Sequence, residues 1–146
     1  MRLTMGLTAL AAACLVIFAG PGLAATGSAT VKTRHGKLGT YLVDGKGRTL
    51  YLFEKDRTKK STCTDACATA WPPLTTKSRA KAAGAAKASL LGTSKRADGT
   101  TQVTYKGHPL YYFVQDKKAG DTKGQNVDGF GAEWYVVSPA GKKIEK

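Results

Sequence analysis

A ten-residue pattern occurs twice in this chain, as Gly47-Arg48-Thr49-Leu50-Tyr51-Leu52-Phe53-Glu54-Lys55-Asp56 and as Gly107-His108-Pro109-Leu110-Tyr111-Tyr112-Phe113-Val114-Gln115-Asp116, at a constant offset of 60 positions. Glycine, leucine, tyrosine, phenylalanine and aspartate recur at five fixed places. Each copy then reaches a tryptophan, Trp71 after 15 residues and Trp134 after 18. Agreement of this kind marks a duplicated supersecondary unit, which buries its apolar face only by packing on its neighbour. Within a copy the alternation is that of a strand. Tyr51 and Phe53 share one face and Leu50 and Leu52 the other, so both faces ask to be covered. Asp56 and Asp116 fall just past the strand ends, where a carboxylate accepts backbone amides of the following turn.

The rest of the chain reads as short strands and turns. Val31–Arg34 and Leu38–Val43 are predicted strands, Asp44-Gly45-Lys46-Gly47 a turn, and Arg48–Glu54 a third strand. Thr62–Ala70 is a predicted short helix capped by Ser61 or Thr62, and Trp71-Pro72-Pro73 stops it. Residues 77–89 are rich in alanine and lysine without an apolar stripe, which predicts a mobile basic connector. A three-strand meander follows, Leu90–Lys95, Gln102–Tyr105 and Pro109–Val114, then a loop from Lys117 to Gly129 and a last strand, Glu133–Val137. The expected fold is mainly β, a small single domain of two pseudo-symmetric hairpin or meander repeats with one short helix. Residues 25–37 form a lead and first short strand, 38–76 repeat 1, 77–89 the linker and 90–146 repeat 2.

The first residues set the compartment. Arg2 precedes an uncharged apolar run, Leu7–Gly20, which Pro21 and Gly22 break before Gly22-Leu23-Ala24. A positive start, an apolar middle and small residues at the end are the anatomy of a secretory signal peptide, here residues 1–24 with cleavage at Ala24 or Ala25. The run falls short of the roughly 20 apolar residues a membrane-spanning helix needs. Lipidation at Cys14 is the competing reading. Ala11 in place of leucine and the apolar Leu15-Val16-Ile17-Phe18 beyond the cysteine weigh against it. An exported chain retains two cysteines, Cys63 and Cys67. An even pair in an oxidising compartment reads as a disulfide, and on a helical turn the i, i+4 spacing brings the two within reach.

Loss of the leader removes only Arg2 from the 23 basic residues and none of the 10 acids, leaving 22 against 10, a net charge of +12. Such a chain attracts anionic envelope polymers or a membrane surface through non-specific, salt-sensitive forces. No aromatic–basic motif for specific nucleic-acid recognition accompanies the charge.

Catalytic constellations are sparse. The histidines are His35 and His108, in turn-like settings, and no Gly-x-Ser-x-Gly elbow is present. Cys63 and Cys67 offer two zinc or copper ligands with no partner histidine at a recognisable spacing, and Cys-x-x-Cys-His is absent. Asp56 and Asp116 would form a carboxylate pair if the halves met about a twofold axis. The expected function is therefore a non-enzymatic binding or structural module of the cell envelope without a cofactor. A redox or metal-handling protein using Cys63 and Cys67 is the alternative, and a carboxylate-dependent hydrolase the third reading.

The two copies, the Cys63-x-x-x-Cys67 segment, Trp71-Pro72-Pro73 and Gly131-Ala132-Glu133-Trp134 together resemble a bacterial family of secreted, often lipid-anchored repeat proteins carrying a Tyr-x-(Phe/Trp/Tyr)-x-x-Asp motif. The resemblance spans residues 38–138 and implies export and a repeat fold. It implies no activity, because that family is one of unknown function.

Overall fold

The computed structural model describes residues 27–146. The leader, its cleavage site and Cys14 lie outside the described residues. No described helix is long and apolar enough to cross a membrane.

The order is β1 (Thr30–Gly36), β2 (Gly39–Asp44), β3 (Tyr51–Phe53), α1 (Ala66–Ala70), β4 (Lys81–Ala82), β5 (Leu91–Lys95), β6 (Thr101–Tyr105), β7 (His108–Pro109), β8 (Val127–Gly129) and β9 (Ala132–Val136). They form three sheets of three strands, ordered β2-β1-β4, β3-β9-β8 and β5-β6-β7. Each repeat opens with a hairpin, β1–β2 in the first and β5–β6 in the second. The turn glycines of the duplicated pattern, Gly47 and Gly107, take φ of 87° and 79°, a region that penalises any Cβ.

The repeats do not fold side by side. The Tyr-x-Phe segment of each copy pairs with the tryptophan segment of the other. In one arm β3 runs antiparallel to β9, with Phe53 opposite Trp134 and Tyr51 opposite Val136. In the other, the Tyr111–Val114 segment runs against Ala70–Pro73, held by Tyr112 N–H to the Pro72 carbonyl (2.8 Å) and Val114 N–H to the Ala70 carbonyl (3.0 Å). The axis falls between Tyr51 and Tyr111, whose backbones exchange N–H···O bonds of 2.9 and 3.0 Å. Equivalent bonds flank it. Leu42 N–H donates to Val137 and Val103 N–H to Leu74, both at 2.8 Å.

The two predicted faces separate into two apolar clusters. Tyr51, Phe53, Tyr111, Phe113, Trp71 and Trp134 belong to one. Leu50, Leu52 and Leu110 belong to the other, with Val103, Tyr105 and Val137.

Several boundaries differ from the sequence expectation. Strand geometry in the first copy is confined to Tyr51–Phe53, and in the second to His108–Pro109. The partner of Tyr111–Val114 contains Pro72 and Pro73, which accept but cannot donate, so this arm is a half-ladder. The helix begins at Ala66, not Thr62. Its N-cap residue is Asp65, which has φ 55° and makes no side-chain cap bond. The Ser61 and Thr62 hydroxyls are engaged elsewhere, as described below. The loop after Lys117 ends early in β8, which pairs with β9.

The alanine–lysine connector is docked, contrary to its reading as a mobile segment. Lys81 and Ala82 add a parallel edge strand to Thr30 and Val31, and Ala85 N–H donates to Thr33 Oγ1 at 3.0 Å. Ala80 and Ala86 close over the leucine cluster. The N-terminal lead is held as well. Thr76 Oγ1 and Lys77 N–H donate to the Gly27 carbonyl, and Thr76 Oγ1 accepts from Ala29 N–H.

Candidate functional site

The recurring residues of the pattern meet across the axis. Tyr51 Oη donates to Asp116 Oδ2 at 2.6 Å, and Tyr111 Oη donates to Asp56 Oδ2 at 2.5 Å. Each tyrosine thus binds the aspartate of the other repeat. Each aspartate also holds its own following loop: Asp56 accepts from Thr62 N–H and Oγ1, both at 2.7 Å, and Asp116 from Lys123 N–H at 2.9 Å. The two aspartates therefore face tyrosines rather than each other, and the geometry presents no carboxylate dyad. Burial raises the Asp116 pKa above its usual 3.8 despite the bonds from Tyr51 and Lys123. It also raises Tyr51 and Tyr111 well above the ordinary phenol range, with the bonded carboxylates adding to the shift.

Between the two pairs lies a four-ring stack. Phe53 and Trp134 are 4.0 Å apart between centroids, Trp134 and Trp71 3.9 Å, and Trp71 and Phe113 4.1 Å, with interplanar angles of 8°, 2° and 22°. Tyr51 meets Trp71 edge-on at 5.4 Å, and Tyr111 meets Trp134 at 5.0 Å. Every predicted motif residue lies in this buried centre, with at most 7 % of its surface exposed.

Symmetry is broken at the tyrosine oxygens. Tyr51 Oη accepts the backbone N–H of Gly124 at 3.1 Å. Tyr111 Oη instead contacts Ser61 Oγ at 2.7 Å, and because the Tyr111 proton is committed to Asp56, the serine hydrogen points at the phenol. Ser61 Oγ in turn accepts from Cys63 N–H (3.0 Å) and from Arg96 Nη1 (2.9 Å). Arg96 completes the cluster. Its Nη1 also donates to the buried Gln102 Oε1 at 2.8 Å, and Nη2 donates to the Cys63 carbonyl at 2.7 Å. Cys63 and Cys67 form a disulfide with Cα atoms 5.2 Å apart, both nearly inaccessible to solvent, which fixes the carbonyl that Arg96 uses.

Arg96 has no carboxylate within ion-pair distance, and its Nε is buried without a hydrogen-bond partner among the described residues. It lines a cavity of about 200 Å³ with Lys60, Ser61, Thr64, Lys95 and Ala97. Lys95 also lines a second cleft of about 490 Å³, with Lys77, Thr100 and Thr101. That cleft shares Thr76, Lys77 and Thr101 with a third, of about 360 Å³, which reaches Ser78 and Arg79. No carboxylate lines any of the three.

The histidines are apart from this region. His35 is exposed on β1 beside Thr40 Oγ1, at 3.1 Å. His108 lines a cleft with Glu54, Lys143 and Glu145, and burial lowers its pKa. Among the described residues no three His, Cys, Asp or Glu side chains gather as a metal site would require.

Sequence reasoning missed Arg96 and Gln102 and treated Ser61 only as a helix cap. One signal was present. Superposing the hairpins through Leu42 and Val103, which make equivalent bonds, sets Gln102 opposite Tyr41, a polar residue at a buried strand position.

No curated protein and no solved structure matches this chain. A family model does match, twice, over residues 32–75 and 92–138, so that each match takes in one hairpin and its Tyr-x-Phe segment. On the strength of those two matches, the chain belongs to the Lipoprotein_15 family, described as a secreted repeat of unknown function.

Proposed function

We propose that the protein is a non-enzymatic binding module of the cell envelope that holds anionic polymers or surfaces on one basic face. The observation that carries this reading is the run of three adjoining clefts from Arg79 and Lys77 through Lys95 to Lys60 and Arg96, in which every charged lining residue is a cation. The only ion pairs among the described residues involve Lys143, with Glu54 at 2.6 Å and Glu145 at 2.9 Å, away from that face. Three acids are committed inward, Asp44, Asp56 and Asp116, each buried on a tyrosine. Asp98 is exposed, with its Oδ1 held by the Thr100 amide and hydroxyl.

The competing chemistries receive less support. The disulfide is buried, which favours a structural role over exchange with solvent thiols. The motif carboxylates each spend their oxygens on the opposite repeat and on their own loop, which favours a structural role over acid–base work.

The test is titration of the exported protein with a linear polyanion over a range of salt concentration. Binding whose affinity falls steeply with salt, and more weakly in a Lys77→Ser/Arg79→Ser/Lys95→Ser variant, is the expected result. No binding at low salt, or binding indifferent to that variant, rejects the reading.

A further inference from the structure

We propose that the Arg96 cavity is a binding site for a phosphoryl oxyanion, resting on the basic-face reading and giving that face its anchoring point. Elsewhere along the clefts the cations stand at the surface and act as diffuse charge. Arg96 differs. Its guanidinium is half-buried and fixed by three bonds to neutral acceptors, Ser61 Oγ, Gln102 Oε1 and the Cys63 carbonyl. A desolvated cation is costly without a counter-charge. The nearest carboxylate in its network is Asp56, two groups away through Ser61 and Tyr111, and that oxygen already accepts the tyrosine proton. Asp98, exposed two residues on, acts on Arg96 only at a distance, its Oδ1 being taken by Thr100, so no acid bonds the guanidinium directly.

The surroundings match a tetrahedral oxyanion better than a planar carboxylate. Three cations, Arg96, Lys60 and Lys95, and the Thr64 hydroxyl line one space of about 200 Å³, beside a Ser61 hydroxyl already committed to Tyr111, Cys63 and Arg96. Lys60 Nζ is tethered on the carbonyl of the lining residue Lys95 at 3.0 Å, and Lys95 Nζ is held at 3.3 Å on the carbonyl of Gly99, which lines the adjoining cleft. Donors on separate chain segments suit a tetrahedral group with two or more charged acceptor oxygens, and two lysines add positive charge to meet the negative charge of a phosphomonoester or phosphodiester. The site also breaks the internal symmetry. The equivalent tyrosine, Tyr51, meets only a backbone amide, so the fold does not require an arginine to support a Tyr–Asp pair. The cluster of arginine, serine and glutamine surrounds one of the two tyrosines alone.

The experiment is an amide and arginine Nε–H NMR titration of the exported protein with inorganic phosphate, at constant ionic strength against chloride. Saturable shifts centred on Ser61, Cys63 and the Arg96 Nε–H are expected, weakened about tenfold in Arg96→Gln, the scale of one charge-assisted hydrogen bond. Shifts that do not saturate, or that chloride reproduces, overturn the site. Lys60→Ser/Lys95→Ser alters only exposed residues and repeats the test if Arg96→Gln fails to fold. Poly(glycerol phosphate) and phosphatidylglycerol vesicles then identify which phosphate carrier depends on Arg96. If the variants hold both carriers as tightly as the parent does, the cavity proposal fails while the basic-face reading stands. If the parent holds neither carrier, that reading fails first.

Discussion

The two Tyr–Asp pairs begin from the same residues and end in different surroundings. In one, Tyr51 and Asp116 are completed by main chain alone, through the amides of Gly124 and Lys123. In the other, Tyr111 and Asp56 are completed by side chains, namely Thr62, Ser61 and, behind them, Arg96 and Gln102. Lys123 and Thr62 play matching parts as donors to the aspartates, which places Gly124 opposite Cys63. At Gly124 the chain presses so close that a Cβ would stand 2.8 Å from both Tyr51 and Trp71. At Cys63 the chain has room for a side chain, closes a disulfide and offers its carbonyl to an arginine. The difference teaches that the tyrosine, the aspartate and the tryptophan belong to the architecture, whereas the side-chain cluster of Ser61, Arg96 and Gln102 belongs to one copy.

The shared part should break symmetrically. Trp71→Ala and Trp134→Ala each remove a central ring of the stack, and each is expected to cost about 3–5 kcal/mol in chemical denaturation. A cost confined to one of them would refute the equivalence of the copies. The unshared part should break unequally. Gly124→Ala forces a methyl against two aromatic rings and should cost about 1–3 kcal/mol. Tyr51→Phe strips the Gly124 amide of its acceptor and leaves Asp116 with the Lys123 amide alone, a loss of about 1–3 kcal/mol for buried groups left unpaired. Tyr111→Phe should cost less, because Asp56 keeps both Thr62 donors and Ser61 keeps Arg96. Replacing Cys63 and Cys67 with serine sharpens the contrast. With that loop loosened, the Tyr111→Phe loss should rise toward the Tyr51→Phe value, and an unchanged difference would show that the disulfide does not support the Arg96 side.

Much of this was readable in the chain. Alternation placed Tyr51 and Phe53 on one face and Leu50 and Leu52 on the other, because a pleated strand allows no other arrangement. The duplication announced one core of two halves. The crossing was not readable, since pairing within a repeat and pairing between repeats satisfy the same periodicity, and they are distinguished by tertiary pairings such as Trp134 against Phe53 and Pro73 against Tyr111. The connector was misread for a physical reason. A two-residue edge strand needs no apolar stripe, only small residues such as Ala80 and Ala86 that let it lie close. Arg96 adjoins the Ala97-Asp98-Gly99 turn, where a basic residue is ordinary. Its neutral partners come from positions 61, 63 and 102, a meeting that only the tertiary fold creates.

The smallest predicted effect concerns pH, and it falls on both pairs together. Tyr51 and Tyr111 have folded pKa values raised above the ordinary 10.0, through burial first and the neighbouring carboxylate second, and Tyr112 on Asp44 is raised likewise. The neutral phenol is the form the fold favours, so the unfolded chain loses these protons first as pH rises. Their contribution to stability is complete below pH 10 and declines as the pH climbs toward the folded values. Stability followed by denaturation should thus fall on the alkaline side of 10, and the tyrosinate ultraviolet band of these residues should appear only as the fold is lost. Asp116 shifts the same way on the acid side: its folded pKa lies above 3.8, so stability gains as pH drops through that raised value. Asp116→Asn should abolish that gain. If instead the tyrosinate band grows in the intact fold just above pH 10, the phenols are open to solvent and the crossed Tyr–Asp pairs do not seal the centre of the molecule.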